Sequence, residues 1–225
     1  MRKIVYACDV GSTKPKRCKF GWVRMDLGSK NSMPEGSKSI DGLILRLEKD
    51  LLEGTSIALG FEAPLYMPVP IQSESLSKGR ADEGNRSMFA PIGGYVTTLG
   101  CHQSAFILSR ISNFKKSHKL TLDPTVWREC TKPTILIWEA FVSGPAHSKN
   151  GDDVHDAATA ADYFRAHQNE FKVITADPSP PLSLVGAVAL WSGWRNDIAV
   201  LKEKCLVLRP DVPYGGGYTN LDNPA

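Results

Sequence analysis

The chain has 225 residues, of which 42% are hydrophobic, and its 27 basic and 24 acidic side chains leave a net charge of +3. This length fits one domain with a sizeable core, and so balanced a charge neither indicates nor excludes a polyanionic partner. The 5 cysteines have no close spacing, which argues against a zinc knuckle or a redox motif and favours free thiols in a reducing cytosol.

The first part of the chain predicts strands and one helix. Residues 4–9 and 20–25 are apolar runs separated by a basic loop, which is typical of an antiparallel hairpin. Residues 27–36 read as a loop with a short third strand nearby. Apolar residues at helical spacing predict a helix over 40–52. The apolar run 57–61 then predicts a strand parallel to the first, because a helix crosses over between them.

The rest of the chain alternates helices and strands after an irregular insertion rich in Pro and Gly. The insertion covers residues 64–92, and we expect a helix over 95–114 and a strand over 134–138 after it. Two more helices over 154–166 and 182–194 follow, and then a loose tail over 209–225. This order predicts a single α/β domain, with a mixed sheet flanked by helices.

The sequence shows no targeting or membrane-spanning pattern. The N-terminal apolar run is interrupted at Asp9, which is too early for a signal peptide, and the most apolar stretch, residues 181–194, is too short to cross a bilayer. We therefore expect a soluble, cytoplasmic protein.

Four acidic residues fall where this fold would bring them together. Asp9 and Glu62 each follow an apolar strand, and Asp153 and Asp156 lie three residues apart at the start of an Ala-rich helix, so they share one helix face. Clustered carboxylates are how proteins hold hard divalent cations. The pattern predicts a site for two Mg²⁺ or Mn²⁺ ions that acts on phosphate esters, with Asp9 bridging the ions.

Each of these acids also has a simpler explanation. Asp9 could end its strand in an Asx turn, and Glu62 could be an ordinary edge residue. Asp152 or Asp153 could cap the helix, whose N-terminus favours acids, and Asp156 could lie on a solvated helix face.

The order of the elements and acids resembles the ribonuclease-H-like fold. Residues 9–12 together with 20–22 resemble the first hairpin of RuvC-type resolvases and their relatives, and residues 153–158 resemble the closing helix of that group. The segment Glu62-Ala63-Pro64-Leu65 is similar to one in a family of uncharacterised predicted nucleases with this fold. In that family an Arg-x-Asp segment follows, as in Arg80-Ala81-Asp82 with Arg86 here.

This resemblance covers roughly residues 3–168 and implies a ribonuclease-H-like mixed sheet, with an antiparallel start followed by parallel strands. It also implies a metal-dependent nuclease with a two-metal site at the four acids. Nucleic acid, DNA or RNA, is then the expected partner. Dimers are common among resolvases, so a homodimer is an open alternative, although nothing in the sequence identifies an interface.

Basic residues near these motifs are candidates for binding phosphate. A basic loop follows Asp9 where a phosphate backbone would lie, although basic loops are as often only solvated. Its basic residues are Lys14, Lys16, Arg17 and Lys19. Arg80 and Arg86, in the irregular insertion, are candidate phosphate clamps, with a purely structural role as the alternative.

Other polar residues lie near the acids in the predicted fold. Glu139 ends a strand beside the predicted site, where a structural or supporting role is favoured over metal ligation. His147 and Lys149 precede the Ala-rich helix and are candidates to orient water or phosphate. His155 is expected to point away from the acids.

Two other functions compete with a nuclease. Residues 9–13, Asp-Val-Gly-Ser-Thr, also resemble the first phosphate loop of ATP-dependent phosphotransferases of the actin and sugar-kinase type, although no second copy of that loop is present. The remaining alternative is a non-catalytic ribonuclease-H-like binding module that retains the acids.

Overall fold

The computed structural model describes residues 1–29, 32–80, 91–142, 144–148, 151–169, 171 and 179–222. The strands in these ranges are β1 Lys3–Asp9, β2 Gly21–Asp26, β3 Glu35–Ser37, β4 Ser56–Phe61, β5 Tyr66–Pro68, β6 Lys119–Thr121, β7 Thr134–Ala140, β8 Pro181–Ser183, β9 Leu206–Leu208 and β10 Thr219–Asn220. The helices are α1 Ile40–Leu52, α2 Pro91–Arg110, α3 Pro124–Arg128, α4 Asp153–His167 and α5 Leu184–Trp191.

The main sheet has eight strands and is mixed. Its order is β10-β3-β2-β1-β4-β7-β6, and β9 also pairs with β7. The pairs β1–β2 and β2–β3 are antiparallel, whereas β1–β4 and β4–β7 are parallel. The predicted α/β class, with an antiparallel start and parallel strands after it, is therefore confirmed.

The central strands are apolar throughout because both faces of the sheet are covered. In β1, Ile4 and Tyr6 pack into the core on one face, while Val5 and Ala7 pack into the core on the other. A strand in which every residue is buried shows no alternation, so its apolar run alone identifies it.

The helix α4 packs closely on β1 and β2 because the residues between them are small. Its inward side carries the buried alanines Ala157, Ala158 and Ala161. At the helix start a Cβ added to Gly21 would lie 2.5 Å from the carbonyl carbon of Asp153. Gly21 pairs with Asp9 in the β1–β2 register, so this approach brings the start of α4 beside the end of β1.

A buried network of charges joins β1, β2 and α1. The Arg24 guanidinium donates to both oxygens of Asp50, from Nε at 2.8 Å and from Nη2 at 3.0 Å. The Tyr6 hydroxyl also donates to Asp50, at 2.5 Å. Burial of an ion pair is tolerated when its hydrogen bonds are satisfied in this way, and the network ties α1 to the sheet.

The C-terminal half contains short strands that the sequence did not predict. β6 and β9 have three residues each, too few for a recognisable pattern, and both pair with β7. The helix expected from residue 182 begins instead at Leu184. Residues 181–183 pair with β5, which lies inside the irregular insertion. Ser183 then caps the helix, because its Oγ accepts from Gly186 N at 3.1 Å.

The segment 209–225, expected to be a loose tail, holds structure over its described part. β10 pairs with β3, and the Asp222 carboxylate accepts hydrogen bonds from Ser37 Oγ and Lys38 N. Pro and Gly disfavour regular structure but do not prevent an edge pairing of two residues. Nowhere in the described ranges is a helix both long and apolar enough to cross a membrane.

The contact between Gly21 and α4 leads to a testable prediction. Gly21→Ala should lower the free energy of unfolding by about 1–3 kcal/mol, because the new methyl group overlaps the backbone of Asp153 and the helix must move. Urea denaturation measures this change. The control is Gly215→Ala, whose Cβ would have no atom within 4 Å; equal stability of the two variants would contradict the predicted contact.

Candidate functional site

The ends of two adjacent parallel strands place Asp9 and Glu62 side by side. Cys8 and Phe61 are partners in the β1–β4 register, and the Glu62 backbone N–H donates to the Cys8 carbonyl at 2.8 Å. Asp9 is the last residue of β1 and Glu62 directly follows β4, and both are partly buried. The carboxyl edge of an open α/β sheet is a usual location for a functional site.

The start of α4 supplies two more buried carboxylates. Asp152 is the N-cap and accepts from Val154 N at 3.2 Å, which agrees with the simpler explanation given for that residue. Asp153 and Asp156 lie in the first turn and are only 8% and 6% exposed. Neither is a solvated surface acid.

Burial and mutual repulsion raise the pKa of the strand acids. The pKa of Asp9 is raised to about 8, first by burial and then by the charges of Asp153 and Asp156. The pKa of Glu62 is raised well above its usual value by burial and by the charges of Asp9, Asp156 and Asp153. The β1–β4 pairing and the contact of Gly21 with the start of α4 place these acids in one region, where their charges act on one another.

Two lysines partly compensate this negative charge. Lys38 Nζ lies 3.1 Å from Asp153 Oδ2, and Lys19 Nζ lies 3.9 Å from the other oxygen of that carboxylate. Burial lowers the pKa of Lys38, but its hydrogen bond to Asp153 and the charges of Asp153 and Asp152 outweigh that effect and raise it. Both ammonium groups also lower the pKa of Asp9.

Asp156 is held by the loop before α4. It accepts a hydrogen bond from Ser148 N at 2.6 Å, and its second oxygen lies 3.1 Å from His147 Nδ1. The His147 side chain is 46% exposed, so its ring sits between the acids and solvent. His155, between the two helix acids, instead faces the Tyr214 ring, whose centroid is 6.0 Å away.

The chemistry of the four carboxylates fits a hard divalent cation. Their donors are all oxygen atoms, and a cation would relieve the repulsion that raises the pKa values of Asp9 and Glu62. The side chains are not arranged around a common point: among the described residues, no group of three or more His, Cys, Asp or Glu has the geometry of a metal site. The oxygens of Asp153 and Asp156 face Lys38, His147 and Ser148 instead.

Glu139 and Arg80 form a buried ion pair rather than a substrate clamp. Glu139 is 0% and Arg80 3% exposed. The guanidinium donates to both oxygens of Glu139, from Nη1 at 2.8 Å and from Nη2, and also lies over the Tyr66 ring. Glu139 additionally accepts from Leu65 N at 2.9 Å. The pair therefore fixes the turn after Glu62, and this buried position agrees with the structural role that was the alternative for Arg80.

The other residues predicted to bind phosphate are either exposed or outside the described part of the chain. Lys14, Lys16 and Arg17 are exposed on the loop between β1 and β2, where Pro15–Arg17 forms a 3-10 helix. Arg86 and Lys149 lie outside the described residues.

Sequence reasoning missed Lys38. It lies 115 positions from Asp153 along the chain, so no local pattern links the two. The only signal was its position directly before Ser39, which caps α1.

Comparisons with protein-family models, with curated proteins and with solved structures found no significant match to this chain.

The raised pKa of Asp9 makes stability depend on pH. An unfolded Asp has a pKa near 3.9, so between about pH 4 and about pH 8 the folded metal-free chain binds more protons than the unfolded chain. The folded chain therefore loses stability as the pH rises through this range. Asp9→Asn should remove this penalty. Its free energy of unfolding at pH 8.5 should be higher than that of the natural chain by at least about 1.4 kcal/mol, the value of one pKa unit. Urea denaturation in EDTA at pH 5 and pH 8.5 measures it. Asp41→Asn, at an exposed position in α1, is the control; a less stable Asp9→Asn at pH 8.5 would overturn the pKa assignment.

A second prediction concerns Arg80. Arg80→Met should lower the free energy of unfolding by about 3–5 kcal/mol, because it leaves the Glu139 carboxylate buried without its partner. The double variant with Glu139→Met should recover part of this loss. The control Arg17→Met removes an exposed guanidinium and should change stability by less than about 0.5 kcal/mol. Similar stabilities of Arg80→Met and Arg17→Met would contradict a structural role for Arg80.

Proposed function

We propose that this chain is a metal-dependent phosphodiester hydrolase with a ribonuclease-H-like fold. Asp9, Glu62, Asp153 and Asp156 are the carboxylates that would hold Mg²⁺ or Mn²⁺. The observation that carries this proposal is that acids from three separate elements lie in one region, where burial and then their mutual repulsion raise the pKa of Asp9 to about 8. A fold gains no stability from gathering carboxylates whose charge is only partly compensated, so such a cluster points to a function.

The sheet supports the same assignment. The resemblance implied an antiparallel start, parallel strands after it, and a closing helix that carries two acids. The structure has β1 and β2 antiparallel, β4 and β7 parallel, and α4 packed on β1 and β2. The acids occupy the strand ends and the helix start that the proposal requires.

The residues of the chain divide the work between them. When bound, the divalent ions supply an activated water and stabilise charge on the attacking and leaving oxygens. Asp9 and Glu62 would hold the ions as charged carboxylates, since a cation favours the charged form over the protonated one. Ser148 and His147, in the loop before α4, hold the Asp156 carboxylate at the edge of the cluster.

Nucleic acid is the substrate class that the surroundings favour. Lys14, Lys16 and Arg17 are exposed on the loop that leaves Asp9, and cations beside a carboxylate site would follow a phosphate backbone.

Nothing in the described residues identifies a dimer interface. All five cysteines are free thiols, which supports a reducing, cytoplasmic setting.

Metal binding and cleavage test the proposal together. Mn²⁺ at a hundred times its Kd should stabilise the folded chain by about 2.7 kcal/mol, and the chain should cut single- or double-stranded DNA or RNA. Asp9→Asn and Glu62→Gln should each lower cleavage by at least about a hundredfold, because they remove ligand charge. Thermal melting and a labelled-oligonucleotide assay measure the two effects, with Asp41→Asn as the control.

Other outcomes would favour the competing functions. A melting temperature that rises with ATP more than with Mn²⁺ would favour the phosphotransferase. No response to metal or ATP, together with no cleavage of any nucleic acid, would leave the non-catalytic binding module. Full activity of Asp9→Asn would contradict the assigned site.

A further inference from the structure

Lys38 holds a charged donor at the edge of the acid cluster. Its ammonium lies 3.1 Å from Asp153 Oδ2 and 3.9 Å from Asp152 Oδ1, and 40% of its side chain is exposed. An ammonium group has three N–H donors, and these two carboxylates do not use all of them. The part of the ammonium group that faces solvent can therefore bind an anion that approaches the acids.

The backbone of Lys38 is held on both sides. Its N–H donates to Asp222 Oδ2 at 2.7 Å, and its carbonyl lies 3.4 Å from Cys18 Sγ. The second oxygen of Asp222 accepts from Ser37 Oγ at 2.6 Å. One carboxylate from the C-terminal segment thus binds two consecutive residues.

The C-terminal segment itself is anchored to the sheet. β10 runs parallel to β3, and Leu221 N donates to Gly36 O at 2.9 Å. On the other side of Lys38, the Ser39 carbonyl accepts from Trp22 Nε1 at 2.8 Å, and Ser39 Oγ caps α1. A long flexible side chain therefore starts from a fixed backbone, which lowers the entropy lost when it binds a ligand.

We propose that Lys38 binds a phosphate group of the substrate beside the carboxylates and that Asp222 is the residue that positions it. This inference rests on the proposed hydrolase function. A phosphate next to four acids is repelled unless a cation lies between them, and Lys38 already neutralises Asp153 from the solvent side. Asp222 contacts no substrate and acts only through the backbone of Lys38.

A role for Asp222 through its charge alone makes a different prediction from a positioning role. Asp222→Ala removes a negative charge, and by long-range electrostatics alone this should strengthen binding of a polyanion. If Asp222 positions Lys38, the same change should weaken binding, because the Lys38 N–H loses its acceptor and the ammonium is no longer held in place. The sign of the effect separates the two roles.

The experiment measures binding without cleavage. A fluorescent single-stranded oligonucleotide of about 20 nucleotides is titrated with the full chain carrying Asp9→Asn, in EDTA, by anisotropy over a range of KCl concentrations. Adding Lys38→Met should weaken binding about fivefold to tenfold and reduce the salt slope by about one unit, whereas Lys38→Arg should retain most of the affinity. The control is Lys49→Met, which removes an exposed lysine at the far end of α1.

Asp222→Ala completes the test in the same background. It should weaken binding about threefold or more, while Asp41→Ala, an equal charge change in the first turn of α1, should leave binding unchanged or slightly stronger. Circular dichroism checks that each variant is folded. Binding by Lys38→Met equal to that by Lys49→Met, or tighter binding by Asp222→Ala, would overturn the inference, and so would an absence of binding by the parent chain.

Cleavage by the natural chain in Mg²⁺ or Mn²⁺ is assayed separately. Cleavage that is insensitive to Lys38→Met would overturn the role of Lys38 and leave the hydrolase function intact. The expected binding changes without any cleavage would overturn the hydrolase function and retain Lys38 as a phosphate-binding residue.

Discussion

The arrangement of the site depends on how closely α4 approaches the β1–β2 hairpin. A helix can start directly over a strand only where the strand has no side chain in the way, and Gly21 provides that space opposite Asp9. The alanines of α4 keep the rest of the helix close to the sheet. Favourable packing thereby holds buried carboxylates together, and burial and their mutual repulsion raise the pKa of Asp9.

Two kinds of buried charge therefore coexist in this protein. Arg24 with Asp50, and Arg80 with Glu139, are bidentate pairs whose hydrogen bonds are satisfied inside the fold. The pairs join elements, and neither contributes an acid to the cluster. The acids around Asp9 have only partial compensation, from lysines at the edge exposed to solvent. Charges that the fold satisfies serve stability, and the charges that it satisfies only in part are those to which we assign the proposed binding of a cation and a phosphate.

Local patterns were enough to predict the central strands of the sheet but not its edges. Apolar runs identified β1, β2, β4 and β7 because buried central strands need nothing else. The three-residue strands β6, β8 and β9 have too few residues for a pattern, and they form because a neighbouring strand offers unpaired backbone groups. The C-terminal segment is rich in Pro and Gly, yet β10 and Asp222 attach it to β3 and its neighbours.

The sequence by itself determined the four acids as candidates and the elements that carry them, since strand ends and the start of an Ala-rich helix are local features. Only the tertiary structure decided which charges face one another. It turned Arg80 inward to Glu139, placed Lys38 on Asp153, and set Asp222 behind Lys38. Each of these contacts joins residues far apart in the chain, and their distances depend on packing that no local pattern encodes.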